Sequence, residues 1–298
     1  MLDSKQCQAF LAVAETGSFE YASLQLHLTA SAVSLRVQAL ERQLGQMLLI
    51  RGRPCQTTPA GEQLLQHLQR QRFTEQNFLQ NLQGKQDNSE FIKVTIASNA
   101  DSLATWLLPA LQQTVIQQKI ALEIRLDDQS LTHTLLEAGQ VHACISVEAH
   151  PLRGCLAKPL GYMRYKMVAT PAFVGNWFKN GISRQSLMQA PAVIFNQKDH
   201  MHHNILLKLH GLTSNCYPHH FIPSSETFVH AIHRGLGYGL VPDLQIGSAL
   251  ELGELIEIMP EAQTDILLYW HHWQQQSTQL QQLTKQICQN SQRFLYPA

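Results

Sequence analysis

The sequence predicts a chain of two unlike halves: an all-α N-terminal region continued by one long helix, and an α/β C-terminal region. Three observations predict this. In the first 58 positions apolar residues recur at helical spacing, as in "TASAVSLRVQALERQLG" (29–45), where Val33, Val37, Leu40 and Leu44 make one stripe. From Pro59 to about Gly84, "PAGEQLLQHLQRQRFTEQNFLQNLQG" carries no Pro or Gly after its first turn and reads as a single helix ending at a Gly stop. From residue 91 onward, strand-like apolar runs alternate with helical ones.

Composition narrows the class. With 298 residues, 44% hydrophobic and 15% charged, the chain can bury a real core and has room for two or three domains. The 22 Lys and Arg balance the 22 Asp and Glu, so only a local basic patch can serve nucleic acid. Asp3 near the start and the lack of a basic n-region argue against a secretory signal, and no apolar run reaches the length of a membrane span. The 6 Cys (7, 55, 144, 155, 216, 288) form no C-x-x-C pair and read as reduced thiols. A cytoplasmic protein with no membrane association is expected.

The elements follow in order. Residues 1–58 are short helices with a Gly-containing turn and an Arg-rich connection. In the long helix, Leu65, Leu68, Phe78, Leu79 and Leu82 give an apolar seam broken around Arg72 and Glu75, which asks for a partner helix. The polar "KQDNSE" (85–90) reads as a hinge. Then come the strand "FIKVTIA" (91–97), the helix "DSLATWLLPALQQTV" (101–115) with Asp101 or Asn99 as N-cap, and the strand "ALEIRL" (121–126). The helix "SLTHTLLEAG" (130–139), the strand "HACISVE" (142–148), and the runs "YKMVATP" and "AVIFN" continue the alternation. The helix "SETFVHAIHRG", the strands "YGLVP" and "DILLYWHH", and a helix from about Gln276 to Asn290 complete it.

On the helix 29–45, Ser31, Leu35, Gln38 and Arg42 lie about half a turn from the apolar stripe, with Ser34 beside them. A solvated face would more often carry Glu/Lys pairs. The stretch "FLAVAETGSFEYASLQLHLTASAVSLRVQALERQLGQMLLIR", followed by "TTPAGEQLL", resembles the winged helix-turn-helix of LysR-type transcriptional regulators. It shows the helix, the Gly-Ser-Phe turn, the "LE-x-x-LG" helix end and the Thr-Pro-x-Gly closure of a wing. Farther on, "NADSLATWLLPAL" (99–111), "SSETFVHAIHRGLGYGLVP" (224–242) and "LYWHHW" (268–273) resemble one branch of that family, the ArgP/LysG type. Members of that branch activate basic amino-acid exporters in response to lysine or arginine.

The resemblance implies a winged helix-turn-helix at 1–58, a linker and dimerisation helix with hinge at 59–90, and an effector-binding domain at 91–298. The last would be periplasmic-binding-protein-like, with subdomain I at about 91–163 and 268–298 and subdomain II at about 164–267. It also implies no enzyme activity, no cofactor, double-stranded DNA as partner, RNA polymerase as a further one, and a homodimer or homotetramer.

The apolar stripe would then dock the helix on its own domain, with the opposite face in the major groove. Ser31, Ser34 and Gln38 can hydrogen-bond bases or phosphates, and Leu35 can touch a thymine methyl. Thr29 and Ser18 can cap helices that meet phosphates with their N–H groups, and Arg51 and Arg53 fit a wing on the DNA backbone or minor groove. Arg36, Arg42, Arg51 and Arg53 against Glu41 leave a local net charge of +3. The family's frequent Gln after the capping Thr and Arg after the Val-Ser pair are here Ala30 and Leu35, while Arg36 is kept nearer the flank. Sequence preference therefore leans on DNA shape, wing contacts and dimer spacing.

A basic amino acid needs helix N-termini for its carboxylate and acids for its cations. "SNADS" (98–102) and "SSE" (224–226) precede helices and offer Asn99, Asp101, Ser102, Ser225 and Glu226. Asp127, Asp128, Glu148 and Asp199 lie at strand ends or helix starts, where cleft residues collect. The competing readings are weaker. The 15 His cluster in "HMHH" (200–203), but i, i+2 and i+3 spacing without a supporting motif is poor for a metal. "GLGYG" (235–239) follows a helix rather than a strand and reads as a helix stop. A stand-alone amino-acid-binding protein would leave the first 85 residues unexplained.

Overall fold

The computed structural model describes residues 2–82, 91–128 and 132–298. The chain divides into two compact units, residues 1–86 with 134–141, and residues 87–133 with 142–298.

In the first unit, α1 (Ser4–Thr16), α2 (Phe19–Leu26) and α3 (Ala30–Leu44) each begin on a side chain that closes the first turn. Asp3 accepts from the Gln6 N–H (2.9 Å), Ser18 from Tyr21 (3.4 Å) and Thr29 from Ala32 (3.2 Å). The helices stop on left-handed residues, Gly17, His27 and Gly45. Phe10, Val13, Ala22, Val33, Val37 and Leu40 are buried together. Leu44 departs from the expected stripe. It is 39% exposed, because Gly45 turns the chain away at the end of α3.

The wing is the antiparallel pair β1 (Leu49–Ile50) and β2 (Gln56–Thr57). Glu41 anchors it. Its buried carboxylate accepts from the N–H groups of Leu48 (2.9 Å) and Leu49 (3.3 Å). The Thr-Pro-x-Gly closure also has a physical reason. Thr58 Oγ1 donates to the Met47 carbonyl (2.6 Å) and accepts from the Gly61 N–H (3.0 Å), and a Cβ on Gly61 would overlap the Leu48 carbonyl. Helix α4 (Pro59–Leu82) buries Leu65 and Leu68 in this core, and Arg72 pairs with Glu15 at 2.9 Å. The seam side chains Phe78, Leu79 and Leu82, and the hinge expected at 85–90, lie outside the described residues.

The second unit opens with β3 (Ile92–Ser98) and a helical run from Ala100 to Gln117. That run is α5 (Ala100–Ser102), a wider π turn at Leu103–Leu107, and α6 (Leu108–Gln117). Pro109 has no N–H to give to the preceding turn, and the π turn sits where the regular ladder is interrupted. Next are β4 (Ile120–Leu126), β5 (Ala143–Ser146) and the 15-residue β6 (Cys155–Ala169), while α7 (Thr132–Glu137), between β4 and β5 in the chain, falls mostly in the first unit. After them come α8 (Pro171–Trp177), α9 (Arg184–Leu187), β7 (Ala192–Ile194), α10 (Met201–His210), β8 (His219–Phe221) and α11 (Ser225–His233). The chain continues through β9 (Gly239–Pro242), α12 (Asp243–Ile246), β10 (Ile256–Glu257), β11 (Thr264–Trp273) and α13 (Thr278–Asn290).

The main sheet has the order β10-β6-β11-β5-β3-β4, with β9 also on β6. Strand β11 runs antiparallel to β6 along its whole length, and the two carry different neighbours on their two halves. One half of β11 pairs with β5 and so, through β3 and β4, builds the first lobe. The far half of β6 pairs with β9 and β10 of the second lobe, to which the parallel pair β7–β8 is bridged at Ala192 and Tyr238. Between the halves the register slips at Leu268/Tyr269, opposite Pro159 and Gly161. Gly161 has φ 134°, and a Cβ there would lie 2.6 Å from the Tyr296 carbonyl oxygen. This close approach lets Tyr162 and Tyr296 exchange two backbone hydrogen bonds, 2.8 and 3.0 Å long.

Candidate nucleic-acid interface and ligand cleft

The outward side of α3 carries the residue types expected of a groove-facing helix. Leu35 is 62% exposed, Ser31 is exposed, and Ser34, Arg36 and Gln38 are half-buried. The polar groups are loosely tied to one another. Ser31 Oγ is 3.0 Å from Thr29 Oγ1, while Gln38 Nε2 and Arg51 each reach Ser34 Oγ at 3.5 Å. Such contacts are easily exchanged for a base or a phosphate. Arg51 and Arg53 are both exposed in the wing, and the Arg51 guanidinium lies 5.7 Å from the Phe19 ring. Phe19, which the sequence offered only as part of a turn, thus fixes the wing against the start of α2. Ser18 caps α2 and also donates to Glu20 (2.9 Å). Because Glu41 turns inward, the exposed positive charge of this face is undiluted by it.

In the second unit a cavity of about 880 Å³ lies between the two lobes, within the usual size of a small-molecule site. Asn99, Asp101, Asp127, Asp128, Asp199, Ser225 and Glu226 all line it. Two expected residues do not. Ser102 is fully buried within its helix and accepts from the Trp106 indole (3.2 Å), and Glu148 turns to His150, whose N–H and ring lie at 3.0 and 3.1 Å. The local bonds to His150 also hold the Glu148 carboxyl below its ordinary range.

Asp101 holds the lobes in contact. Its Oδ2 accepts from the Tyr165 hydroxyl (2.8 Å) and its Oδ1 from the Ser225 hydroxyl (2.6 Å), which Gln245 Oε1 also approaches at 3.1 Å. Asp199 accepts from the N–H groups of Met201 (3.0 Å) and Phe195 (3.4 Å) at the start of α10. Burial pushes both carboxyls above the usual range against these hydrogen bonds, and Asp101 and Asp128 push Asp199 further up. Among the described residues neither acid forms an ion pair. The lining holds five acids and a single Lys or Arg, the exposed Lys198.

The helix starts are also open. Asp3, Ser18, Thr29, Thr170, Ser183 and Ser277 each cap their own helix by a side chain. Among the described helix starts that line the cavity, Asn99 and Ser224, like His200 and Pro242, form no side-chain cap, and Ser224 donates instead to Thr227 (3.0 Å). Helix starts of this kind suit an anionic group. Asp101, expected as a helix cap or ligand contact, serves as the bridge between lobes instead of a cap. Tyr165 and Gln245 also belong to this region and were not singled out, and His202, weighed in the sequence only as part of a poor metal motif, lines it too. Tyr165 stands between Arg164 and Lys166 and Gln245 two residues after Asp243, so neither stood out from its neighbours in the sequence. Among the described residues no group of three or more His, Cys, Asp or Glu is placed to hold a metal ion.

Comparison with known proteins assigns both halves of the chain to known kinds of domain. Residues 4–62 match the bacterial regulatory helix-turn-helix proteins of the lysR family, and residues 93–291 match the LysR substrate binding domain. The HTH-type transcriptional regulator ArgP of Aeromonas salmonicida is 38% identical over 296 residues, 99% of each chain. ArgP of Vibrio vulnificus (strain YJ016) is 38% identical over 294 residues, 99% of this chain and 98% of that one. Among solved structures, ArgP from Mycobacterium tuberculosis superposes with a TM-score of 0.83 at 32% identity over the whole of both chains. Full-length LysG from Corynebacterium glutamicum with bound effector Arg gives 0.75 at 33% identity, covering 99% of this chain and 100% of that one. The helices, the wing and the two-lobed cleft are thus those of a known regulator architecture, and the chain belongs to the LysR family of bacterial helix-turn-helix transcriptional regulators.

Proposed function

We propose that this regulator responds to a basic amino acid, arginine or lysine, and controls a gene for exporting or metabolising it. The observation that carries this is the charge of the cleft: five acids to one Lys, with Asp101 and Asp199 drawn partly out of water and joined to no cation. Uncompensated carboxylates facing a cavity favour a cationic ligand. The uncapped starts of the Ala100–Gln117 run and of α11 suit its α-carboxylate, with Asp101 and Glu226 beside them for the α-ammonium. The arginine-bound relative supports the same ligand class.

Asp101 also offers a mechanism. It belongs to the first lobe, whereas Tyr165 and Ser225 belong to the second. A cation entering at Asp101 changes the balance of these cross-lobe bonds, and an effector acts only through its preference for one lobe arrangement. We infer that this arrangement sets how subunits pair as a dimer or tetramer, and so how the DNA-binding pairs meet the promoter and RNA polymerase. Such a regulator works in the cytoplasm and needs no cofactor. Calorimetric titration with arginine, lysine and leucine tests the reading. Saturable binding of a basic amino acid and none of leucine is expected. Equal binding of leucine, or no binding of either base, overturns it.

A further inference from the structure

The polar cluster of His202, Tyr217 and Tyr238 has no role in the account so far. His202 is 1% exposed and lines the cleft, yet neither of its ring nitrogens meets a hydrogen-bond partner among the described residues. Tyr217 and Tyr238 pack on it, with ring centroids 5.9 and 5.4 Å away, and their buried hydroxyls are likewise unpartnered. Four polar atoms without partners in one place are a strong departure from the rule that buried polar groups are satisfied. A purely structural cluster would bond internally. This one leaves its capacity open beside a cavity.

The surroundings indicate what the buried imidazole beside the cavity meets. Val193, Phe195, Met201 and Leu240 line the same lobe of the cleft and suit a methylene chain. The acids and open helix starts that suit the amino-acid head group lie at Asp101, Ser225 and Glu226. Asp199 and His202 line the same cavity and belong to the second lobe. Burial, with His203 and His219 close by, pushes the imidazole down to about 3. It is therefore uncharged at neutral pH and can accept an N–H without repelling a cation.

We propose that His202 is a specificity-determining residue of the cleft, the neutral acceptor for the terminal N–H groups of a basic effector side chain, with Tyr217 and Tyr238 as the residues that position its ring. This rests on the basic-amino-acid reading above. Asp199 supplies the countercharge, and His202 supplies direction, which a carboxylate alone does not fix.

The test is calorimetry on the full chain with arginine, lysine and norleucine, the uncharged analogue of lysine. His202→Leu, close in volume but without a polar atom, is expected to raise the Kd for the basic ligand by about tenfold to a hundredfold, the usual worth of a hydrogen bond to a charged group. Norleucine affinity is expected to hold or improve. His202→Asn, which keeps an acceptor, is expected to recover part of the loss. Tyr217→Phe and Tyr238→Phe remove only the hydroxyls and are expected to weaken the basic ligand by less than His202→Leu. Thermal unfolding of each variant checks that it is folded. If the original protein binds neither arginine nor lysine, the ligand class and this inference fall together. If it binds them and His202→Leu changes nothing, the cluster holds water only and the inference alone is overturned. Equal losses for norleucine and lysine would also overturn it, since they would report packing instead of recognition.

Discussion

Burial makes the charged form of Asp101 costly to the folded state. Its carboxyl sits above the ordinary range because burial outweighs the hydrogen bonds from Tyr165 and Ser225. An acid whose folded pKa exceeds its unfolded one loses stability as pH rises through that interval and regains it as pH falls. Asp101→Asn removes the penalty at neutral pH. It is expected to raise Tm while raising the Kd for arginine about tenfold or more, and differential scanning calorimetry with ligand titration checks both. Glu41 shows the opposite case, a buried carboxylate that organises backbone. Glu41→Ala leaves the N–H groups of Leu48 and Leu49 without an acceptor, at about 1–3 kcal/mol each. The expected result is a lower denaturation midpoint and weaker DNA binding with arginine affinity kept. At this scale the sequence was half legible. It marked the carboxylates that follow strands but not their direction. Asp101 and Glu148 looked alike, yet Glu148 is captured by His150 two residues on, and Asp101 reaches 64 and 124 residues along the chain.

The helices were read well where side-chain chemistry is local. Thr29, Ser18 and Gly45 punctuate the N-terminal helices as capping rules require. Helix 101–115 was foreseen, but not the π turn that lets it run through Pro109. Only the end of β6 was legible, because Lys158, Pro159 and Gly161 break its apolar pattern. Those same residues sit at the register slip where one lobe gives way to the other. Tyr296 pins this point from the C-terminus: its hydroxyl donates to Asp243 (2.6 Å), and its ring lies 4.2 Å from the Arg164 guanidinium, itself paired with Asp265 (2.8 Å). Gly161→Ala meets both an unfavourable φ and the Tyr296 carbonyl. It is expected to cost about 1–3 kcal/mol and lower Tm by several degrees in a thermal melt.

At the scale of the whole molecule, a formal charge of +0 conceals two separated specialisations. Arginines gather on α3 and the wing, and acids gather in the cleft. Composition alone gave neither; both emerged only when residues were assigned to faces. On the reading that the wing reaches the DNA backbone, Arg51→Ala and Arg53→Ala are each expected to weaken DNA binding uniformly across sequences. Each is also expected to reduce the slope of log K against log salt by about one, measured by fluorescence anisotropy. The central claim concerns the cleft, where carboxyls lifted by burial await a cation. Binding that cation lowers their proton affinity, so ligand uptake expels protons in the pH range where these raised carboxyls titrate, and affinity tightens as pH rises through it. The most direct measurement is arginine titration within that pH range in two buffers of different ionisation enthalpy. The account predicts different heats in the two buffers, with the sign of proton release, and a difference that vanishes when Asp101 and Asp199 are both replaced by Asn. Equal heats in both buffers, with arginine tightly bound, would contradict it.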